Sequence, residues 1–302
     1  MDSKDCLPIS VIIPTFNGGH KISSLLQSLE NQNTTNFEVI VVIDGSTDNT
    51  IGILNALSFS NFRLKITNQQ NSGRSISRNN GAKLAKNDLL LFVDDDMRLE
   101  KGVLAFHLEH HKNCPDTILV GNALEDDKNT TSDVQQYKRH LSTIWMKGLS
   151  VTYKKLNQPF ITSAHFSIPK TLFFNLGGFD DRLSDAEDYD LAIRAKATNV
   201  DIYFNPKLFG WHDEFITAQS YLQRLKQYAK SNNQLAEINP GVGATQKETS
   251  LIAKAVYYFF SFRFWLLLID SESLCWLPKS IRYKIYDFIF HSQSVIYCER
   301  KN

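Results

Sequence analysis

Three adjacent carboxylates, Asp94-Asp95-Asp96, follow the apolar run Leu89-Leu90-Leu91-Phe92-Val93. The run predicts a short strand buried on both faces, as at the centre of a parallel sheet. Adjacent carboxylates repel one another and are costly to desolvate, so core packing does not explain their position. The carboxyl ends of strands in open α/β sheets bind ligands, and Mg²⁺ or Mn²⁺ takes carboxylate oxygens. The stretch therefore indicates a divalent-cation site; the alternative is a solvated acidic turn before a helix starting near Leu99.

Predicted strands and helices alternate around this stretch. A strand at Ile9–Ile13 stops at a turn-forming cluster over 14–19, and apolar residues at helical spacing follow it. The other predicted elements are strands at Phe37–Ile43 and Phe62–Thr67, a helix from Asp48 to Leu57, and a long helix opened by Asn71-Ser72-Gly73-Arg74. Such alternation predicts a parallel, doubly wound α/β sheet.

The loop after the first predicted strand argues against a dinucleotide-binding domain. Residues Pro14-Thr15-Phe16-Asn17-Gly18-Gly19 lack the spacing of Gly-x-Gly-x-x-Gly, and the sequence has no Walker-type phosphate loop. An acidic strand end without a glycine cradle indicates that a metal, rather than backbone amides alone, neutralises phosphates.

Composition and charge set broad limits. The chain has 302 residues, 42% of them hydrophobic, and a formal charge of +1, which gives no general argument for nucleic acid binding. Cys6, Cys114, Cys275 and Cys298 are scattered without metal-ligand spacing, as expected for free thiols in a reducing compartment. The short, mixed-charge segment before Ile9 does not resemble a signal peptide. We therefore expect a cytoplasmic protein with no nucleic acid partner.

Five motifs occur in a characteristic order. They are Ile9-Ser10-Val11-Ile12-Ile13-Pro14-Thr15-Phe16-Asn17, Val41-Val42-Ile43-Asp44-Gly45-Ser46-Thr47-Asp48, Arg78-Asn79-Asn80-Gly81, Phe92-Val93-Asp94-Asp95-Asp96, and Gly177-Gly178-Phe179-Asp180 with Glu187-Asp188-Tyr189-Asp190-Leu191. Together they resemble glycosyltransferase family 2 from about Ile9 to His212. The resemblance implies the GT-A fold, a doubly wound, mainly parallel sheet flanked by helices. One departure is Ile43, where many members have a second acid before the Asp44 position.

The resemblance assigns a group of side chains to a nucleotide-diphospho-sugar donor. Asp44 would accept hydrogen bonds from the nucleobase, although an Asp-Gly pair is also an ordinary turn. Arg78 would approach the nucleotide, although a helical arginine is often solvated or salt-bridged. His165 would border the donor sugar or simply be packed. The donor-binding residues implied are Thr15, Asn17, Asp44, Arg78, Asp94, Asp95 and His165.

Two further side chains are implied as metal ligands. Asp96 would ligate the Mn²⁺ or Mg²⁺ that bridges the donor's phosphates. His212 lies in Gly210-Trp211-His212-Asp213-Glu214, after a strand predicted at Asp201–Phe204. The resemblance implies that this histidine completes the metal site, and neutral imidazole can coordinate Mn²⁺. The alternative is a structural histidine beside a tryptophan.

The second half of the chain is expected to supply the catalytic base. A strand is predicted at Phe160–Ile168, and a helix follows Glu187-Asp188. The resemblance makes Asp188 the base, with Glu187 orienting the acceptor or sharing the proton; the alternative is a pair of acids stabilised by a helix amino end. An acceptor hydroxyl needs a carboxylate to take its proton as it attacks the anomeric carbon. A base on the face opposite the leaving group implies inversion, as does the resemblance.

The C-terminal third departs from this pattern. Asn239-Pro240-Gly241-Val242-Gly243 breaks a helix predicted at Ile216–Ile238, which suggests a catalytic domain at 1–238 and a helical region at 239–302. The aromatic-rich run Ala255–Ile269 is too short to span a bilayer and contains Arg263. Aromatic and basic residues over 255–300 suit helices at a membrane interface; the alternative is a hairpin packed on the catalytic domain or a second subunit. The residues that favour a membrane are Lys254, Arg263, Trp265, Trp276, Lys279, Arg282, Lys284 and Arg300.

These observations predict a metal-dependent, inverting glycosyltransferase that uses a nucleotide-diphospho-sugar and a saccharide or lipid-linked acceptor. A role in cell-surface polysaccharide or lipopolysaccharide assembly, at the cytoplasmic face of the inner membrane, follows from family analogy. One alternative is a sugar-nucleotide or nucleotidyl transferase with the same sheet, but its usual glycine-rich, lysine-containing loop is not evident after the first strand. Another is a catalytically silent sugar-nucleotide sensor or scaffold at the membrane, which would need neither Asp96 nor Asp188.

Overall fold

The computed structural model describes residues 9–239 and 251–299. Within these residues the chain packs as two compact units, one made of 9–124 and 143–213 and the other of 125–142, 214–239 and 251–299. The domain boundary predicted between residues 238 and 239 adjoins the segment 240–250, which lies outside the described residues. That boundary stays a prediction.

The first four strands form a parallel arrangement in the order β3-β2-β1-β4. Every residue of β1 and β4 is buried, which explains why both read as continuous apolar runs. The doubly wound α/β pattern predicted from the sequence is confirmed here. The elements are β1 (Ile9–Thr15), α1 (Ile22–Glu30), β2 (Phe37–Asp44), α2 (Thr50–Ala56), β3 (Phe62–Gln69), α3 (Arg74–Leu84) and β4 (Leu89–Val93).

The remaining strands extend the sheet through antiparallel pairs. Strand β8 lies beside β4 and places His165 opposite Val93, so the second half of the chain meets the acidic end of β4. Strand β9 pairs with β5, which places His212 opposite Met97. The elements are β5 (Met97–Leu99), α4 (Val103–Asn113), β6 (Ile118–Glu125), α5 (Asp133–Leu149), β7 (Lys154–Lys155), β8 (His165–Pro169), α6 (Lys170–Asn175), α7 (Glu187–Ala197) and β9 (Ile202–His212).

Two predicted element boundaries in this half are wrong. The helix expected near Leu99 begins at Val103, because 97–99 pair with β9 and Gly102 adopts a positive φ of 90°. The strand expected from Phe160 begins at His165, because the His165 amide donates to Thr162 in a turn.

The second unit has a helical core of its own. Buried aromatic and aliphatic side chains pack together there, and the Asp133 carboxylate binds the guanidinium of Arg282 and the hydroxyl of Tyr286. The predicted aromatic run over 255–269 forms two helices separated by 261–263. Among the residues that the structure describes, no helix is both long and apolar enough to cross a bilayer. Besides the first part of α5, the described helices of this unit are α8 (Ala218–Ile238), α9 (Leu251–Phe260), α10 (Phe264–Asp270) and α11 (Lys279–Glu299).

Candidate active site

Asp44 ends β2 in a pocket of hydrogen-bond donors. Its Oδ1 accepts from the Gln69 side chain at 2.9 Å and from the Ser72 amide at 2.8 Å, and its Oδ2 accepts from the Gly73 amide at 2.9 Å. A carboxylate has about four acceptor positions. The buried carboxylate of Asp44 therefore keeps capacity for a further N–H, such as that of a nucleobase.

Asn17 ties the loop after β1 to the loop after β2. Its amide donates to Ser46 Oγ at 2.9 Å, and its Oδ1 accepts from the Thr47 amide at 2.8 Å. The preceding Phe16 leaves 49% of its surface exposed, so its ring is available for stacking on a base. Sequence reasoning missed Phe16, although an aromatic residue between two polar ones at a strand end was a usable signal.

Arg78 joins acids from the two halves of the chain. Its guanidinium lies 2.6 Å from Asp94 Oδ1 and 2.6 Å from Glu187 Oε1, and the arginine side chain is 2% exposed. Burial acts to raise the pKa of Asp94, but the charges of Arg78 and Arg74 and the hydrogen bond from Arg78 together outweigh it, so that pKa lies below its usual value. Arg78 is thus a buried salt-bridged residue, and its direct contact with a donor stays a prediction.

Asp95 is held between a hydroxyl and a lysine. Thr15 Oγ1 donates to Asp95 Oδ2 at 2.6 Å, and Lys21 Nζ lies 2.9 Å from Asp95 Oδ1. Thr15 is buried, so its contact in the structure is with Asp95 rather than with an open pocket. Burial raises the pKa of Asp95 despite the opposing charge of Lys21. Sequence reasoning missed Lys21, because a lone lysine before a helix carries no signal of its partner.

Asp96 and His212, the two predicted metal ligands, lie close together. Asp96 Oδ1 and His212 Nδ1 are 3.4 Å apart, and each side chain is less than 15% exposed. The pairing of Met97 with His212 brings them together. In residues 9–239 and 251–299, no cluster of three or more His, Cys, Asp or Glu side chains is arranged to hold a metal. A carboxylate and an imidazole suit a cation that takes its remaining ligands from substrate phosphates and water.

Asp188 is positioned by Ser163 beside Glu187. Asp188 Oδ2 accepts from the Ser163 amide at 3.1 Å and from Ser163 Oγ at 3.3 Å. Burial, followed by the charge of Glu187, raises the pKa of Asp188 to about 7. Ala186 precedes the pair with a positive φ of 64°, which is strained for a residue with a Cβ. A half-buried carboxyl with this pKa can accept a proton near neutral pH.

A comparison with known protein families identifies the family of this chain. The model of the glycosyl transferase family 2 matches residues 10–177. The chain belongs to glycosyltransferase family 2. Within this family, an uncharacterized glycosyltransferase of Haemophilus influenzae is 30% identical over 192 residues, which cover 62% of this chain and 61% of that protein. The chain thus matches less than two thirds of that relative's length.

Solved structures show that this family 2 chain has the GT-A fold that the sequence predicted. S. aureus TarS 1–349 in complex with UDP-GlcNAc superposes with a TM-score of 0.53 at 20% identity, over 96% of this chain and 89% of that chain. GalNAc-T7 with UDP, GalNAc and Mn²⁺ superposes with a TM-score of 0.52 at 16% identity, over 70% of this chain and 44% of that chain.

His165, a predicted donor-binding residue outside the five family 2 motifs, packs inside the protein. It is fully buried, its Nε2 lies 3.0 Å from His107 Nε2, and burial lowers its pKa to about 3. The ring packs against Gly121 and Gly210, where an added Cβ would lie within 3.2 Å of His165 Nδ1. The structure therefore shows a packed, neutral histidine, and its contact with a donor sugar stays a prediction.

Gly45 offers a test of the Asp44 pocket in this family 2 site. Its φ is 71°, and a Cβ there would lie 2.7 Å from the Asn71 amide nitrogen. We expect Gly45→Ala to reduce the free energy of unfolding by about 2–4 kcal/mol, because a left-handed alanine is strained and the next strand's loop must move. Urea unfolding measures the loss.

Gly102→Ala is the matched control for Gly45→Ala. Gly102 is left-handed, with a φ of 90° and a ψ of -2°, and an added Cβ there would meet only the Asn33 side chain, at 3.9 Å. We expect it to lose about 1–2 kcal/mol, the left-handed penalty alone. Equal losses at both positions would show that the contact with Asn71 is unimportant.

Proposed function

We propose that this protein is a metal-dependent, inverting glycosyltransferase that moves a sugar from a nucleotide-diphospho-sugar to an acceptor hydroxyl. The observation that carries the proposal is the connection from Glu187 through Arg78 to Asp94, at the end of β4 where Asp96 meets His212. Ser163 Oγ lies within hydrogen-bond distance of both Glu187 and Asp188, which joins Asp188 to the same network. A base and a phosphate-side acidic cluster thus lie in one network.

Each residue of the candidate site has a separate role in the proposed reaction. Asp44 holds the nucleobase, Asn17 fixes the loop beside it, and Phe16 offers a stacking face. Asp188, with its raised pKa, takes the proton of the acceptor hydroxyl as the hydroxyl attacks the anomeric carbon. A divalent cation bound by Asp96 and His212 would stabilise the negative charge of the leaving nucleoside diphosphate as a Lewis acid. One base opposite the leaving group gives inversion.

The two solved GT-A structures support the choice of donor and cofactor. TarS was solved with UDP-GlcNAc, and GalNAc-T7 with UDP, GalNAc and Mn²⁺. We propose a nucleotide-diphospho-sugar and Mn²⁺ or Mg²⁺ for this chain on the same fold. The acceptor proposed is a saccharide or lipid-linked saccharide of cell-surface polysaccharide or lipopolysaccharide.

A donor panel tests the metal role. We expect one nucleotide-diphospho-sugar to bind at least about tenfold more tightly with Mn²⁺ than with chelator, and Asp96→Asn to remove that gain because the cation loses a carboxylate ligand. Isothermal titration calorimetry gives the affinities, and slow donor hydrolysis reports turnover.

The exposed Asp116 provides a matched control as Asp116→Asn, which makes the same chemical change away from the site and should bind as the wild type does. If Mn²⁺ still strengthens donor binding in Asp96→Asn, the assignment of Asp96 as a metal ligand is wrong. Donor binding without hydrolysis or transfer in any condition would instead favour the silent sensor.

We propose that the second unit attaches to the cytoplasmic face of an anionic membrane through an aromatic surface on α9, α10 and the turn before α11. Exposed Arg263 and Lys284 supply positive charge, while the carboxylates of Asp270, Glu272 and Asp287 each accept a hydrogen bond inside the unit. The aromatic surface consists of Tyr258, Phe259, Phe262, Phe264, Leu267 and Trp276, each at least half exposed.

Two of the basic residues that were expected to favour a membrane do not contribute to this surface. Arg282 is instead buried against Asp133, and Arg300 lies outside the described residues.

Vesicle sedimentation tests the aromatic surface. We expect the protein to bind phosphatidylglycerol vesicles more strongly than phosphatidylcholine vesicles, because interfacial helices combine apolar insertion with attraction to anionic lipid. Phe264→Ser with Trp276→Ser should weaken that binding by about tenfold or more. Trp145→Ser, an exposed tryptophan of the first unit, is the control and should bind normally. The membrane assignment would be wrong if the double variant and Trp145→Ser bound the vesicles equally well. It would also be wrong if the double substitution abolished dimerisation of the protein, because the aromatic surface would then be a dimer interface.

A further inference from the structure

Lys21 is the residue that precedes α1, and its side chain extends to the acidic end of β4. Its Nζ lies 2.9 Å from Asp95 Oδ1 and 3.9 Å from Asp96 Oδ2. Thr15 Oγ1 donates a hydrogen bond to the other carboxylate oxygen, Asp95 Oδ2, at 2.6 Å. Both oxygens of Asp95 are thus engaged by groups of this chain, and a cation of the protein already lies beside the proposed metal ligand.

The charges at this strand end set a problem for an anionic donor. The carboxylates of Asp94, Asp95 and Asp96 follow one another, and a diphosphate that approaches them is repelled unless positive charge compensates. Arg78 cannot supply it, since it is 2% exposed and held by Asp94 and Glu187. Lys21 is 28% exposed, so its ammonium lies at the border between the acids and solvent.

We propose that Lys21 is a diphosphate-positioning residue. Its ammonium contacts phosphate oxygens of the donor while it remains beside Asp95, and it supplies positive charge that the chain carries with or without a metal. An ammonium has three donors on a flexible stem, so it can serve a carboxylate and a phosphate together. This inference rests on the proposed function, because it assumes a nucleoside diphosphate at this edge of the sheet.

Nucleotide binding in chelator tests the inference. The probe is whichever of UDP, GDP, ADP and CDP the wild-type protein binds most tightly, and its nucleoside is the matched ligand without phosphates. We expect Lys21→Met to weaken diphosphate binding in chelator by about tenfold or more, since a charge-assisted contact is lost. Binding of the nucleoside should change by less than about twofold, and Lys21→Arg should retain most of the diphosphate affinity.

The outcomes separate this inference from the proposed function. If a folded Lys21→Met protein binds the diphosphate as the wild type does in chelator, Lys21 only neutralises Asp95 and the inference fails alone. If the wild type binds none of the four diphosphates even with Mn²⁺, the proposed function fails and the inference fails with it. Should Lys21→Met not fold, Lys21→Gln carries the same comparison, because its amide can still donate to Asp95.

Discussion

Asp188→Asn is expected to lower kcat for sugar transfer by about 10²–10⁴-fold, the contribution of a positioned general base. The amide keeps the size of the carboxyl group and can still accept from the Ser163 amide, so donor affinity should stay within about threefold. Initial rates with saturating donor measure kcat, and calorimetry measures donor binding.

The pH profile of the wild-type protein gives an independent check. Asp188 accepts a proton only when ionised, and its pKa is raised to about 7, so kcat/KM should fall as the pH drops below that value. The residual kcat/KM of Asp188→Asn should not show this fall at low pH. The free energy of unfolding depends on pH in the opposite direction. A carboxyl group whose pKa is higher in the folded protein than in the unfolded chain stabilises the fold less as the pH rises from the unfolded pKa to about 7. Asp188→Asn should therefore raise the melting temperature at pH 8.

Asp181→Asn is the matched control for the base. Asp181 is an exposed carboxyl in the loop that precedes α7, and its substitution should leave kcat, pH profile and melting temperature unchanged. If Asp188→Asn transfers sugar at the wild-type rate, another group takes the proton and the assignment of Asp188 is wrong.

Arg78→Met is expected to reduce the free energy of unfolding by about 3–5 kcal/mol, because breaking a buried ion pair leaves uncompensated charge. Arg78 bridges Asp94 and Glu187 at 2.6 Å each, and Glu187 is 3% exposed. Arg78→Lys keeps the charge but cannot reproduce two opposed bonds, so an intermediate loss is expected. Urea unfolding measures all three proteins.

Two variants make the test of Arg78 specific. Arg182→Met removes an arginine that pairs with Asp180 at the surface, so its loss should be below about 1 kcal/mol. Combining Arg78→Met with Glu187→Gln should recover part of the stability, because the orphaned carboxylate is neutralised. A loss for Arg78→Met no larger than that of Arg182→Met would show that Asp94 and Glu187 are compensated by other groups.

Part of this fold could be predicted because the relevant signals are local. Buried parallel strands must be apolar along their whole length, so Leu89–Val93 and Ile9–Ile13 are recognisable from composition alone. Asp44 and Asp96 lie at or just beyond the ends of the predicted strands Phe37–Ile43 and Leu89–Val93, so their location at the edge of the sheet could be predicted as well. The family resemblance, carried by motifs in order, supplied their expected roles.

The tertiary structure decided which side chains meet. Arg78 pairs with Glu187 across 109 positions of sequence, and Thr15 donates to Asp95 across 80. Such contacts depend on strand order and register, which periodicity does not encode. For the same reason Lys21 could not be recognised beside Asp95, and Arg282 was expected at a surface but is buried against Asp133. The sequence by itself thus determined the four parallel strands and the chemistry available at their ends, whereas packing between distant segments determined the antiparallel part of the sheet and the partners of each charged group.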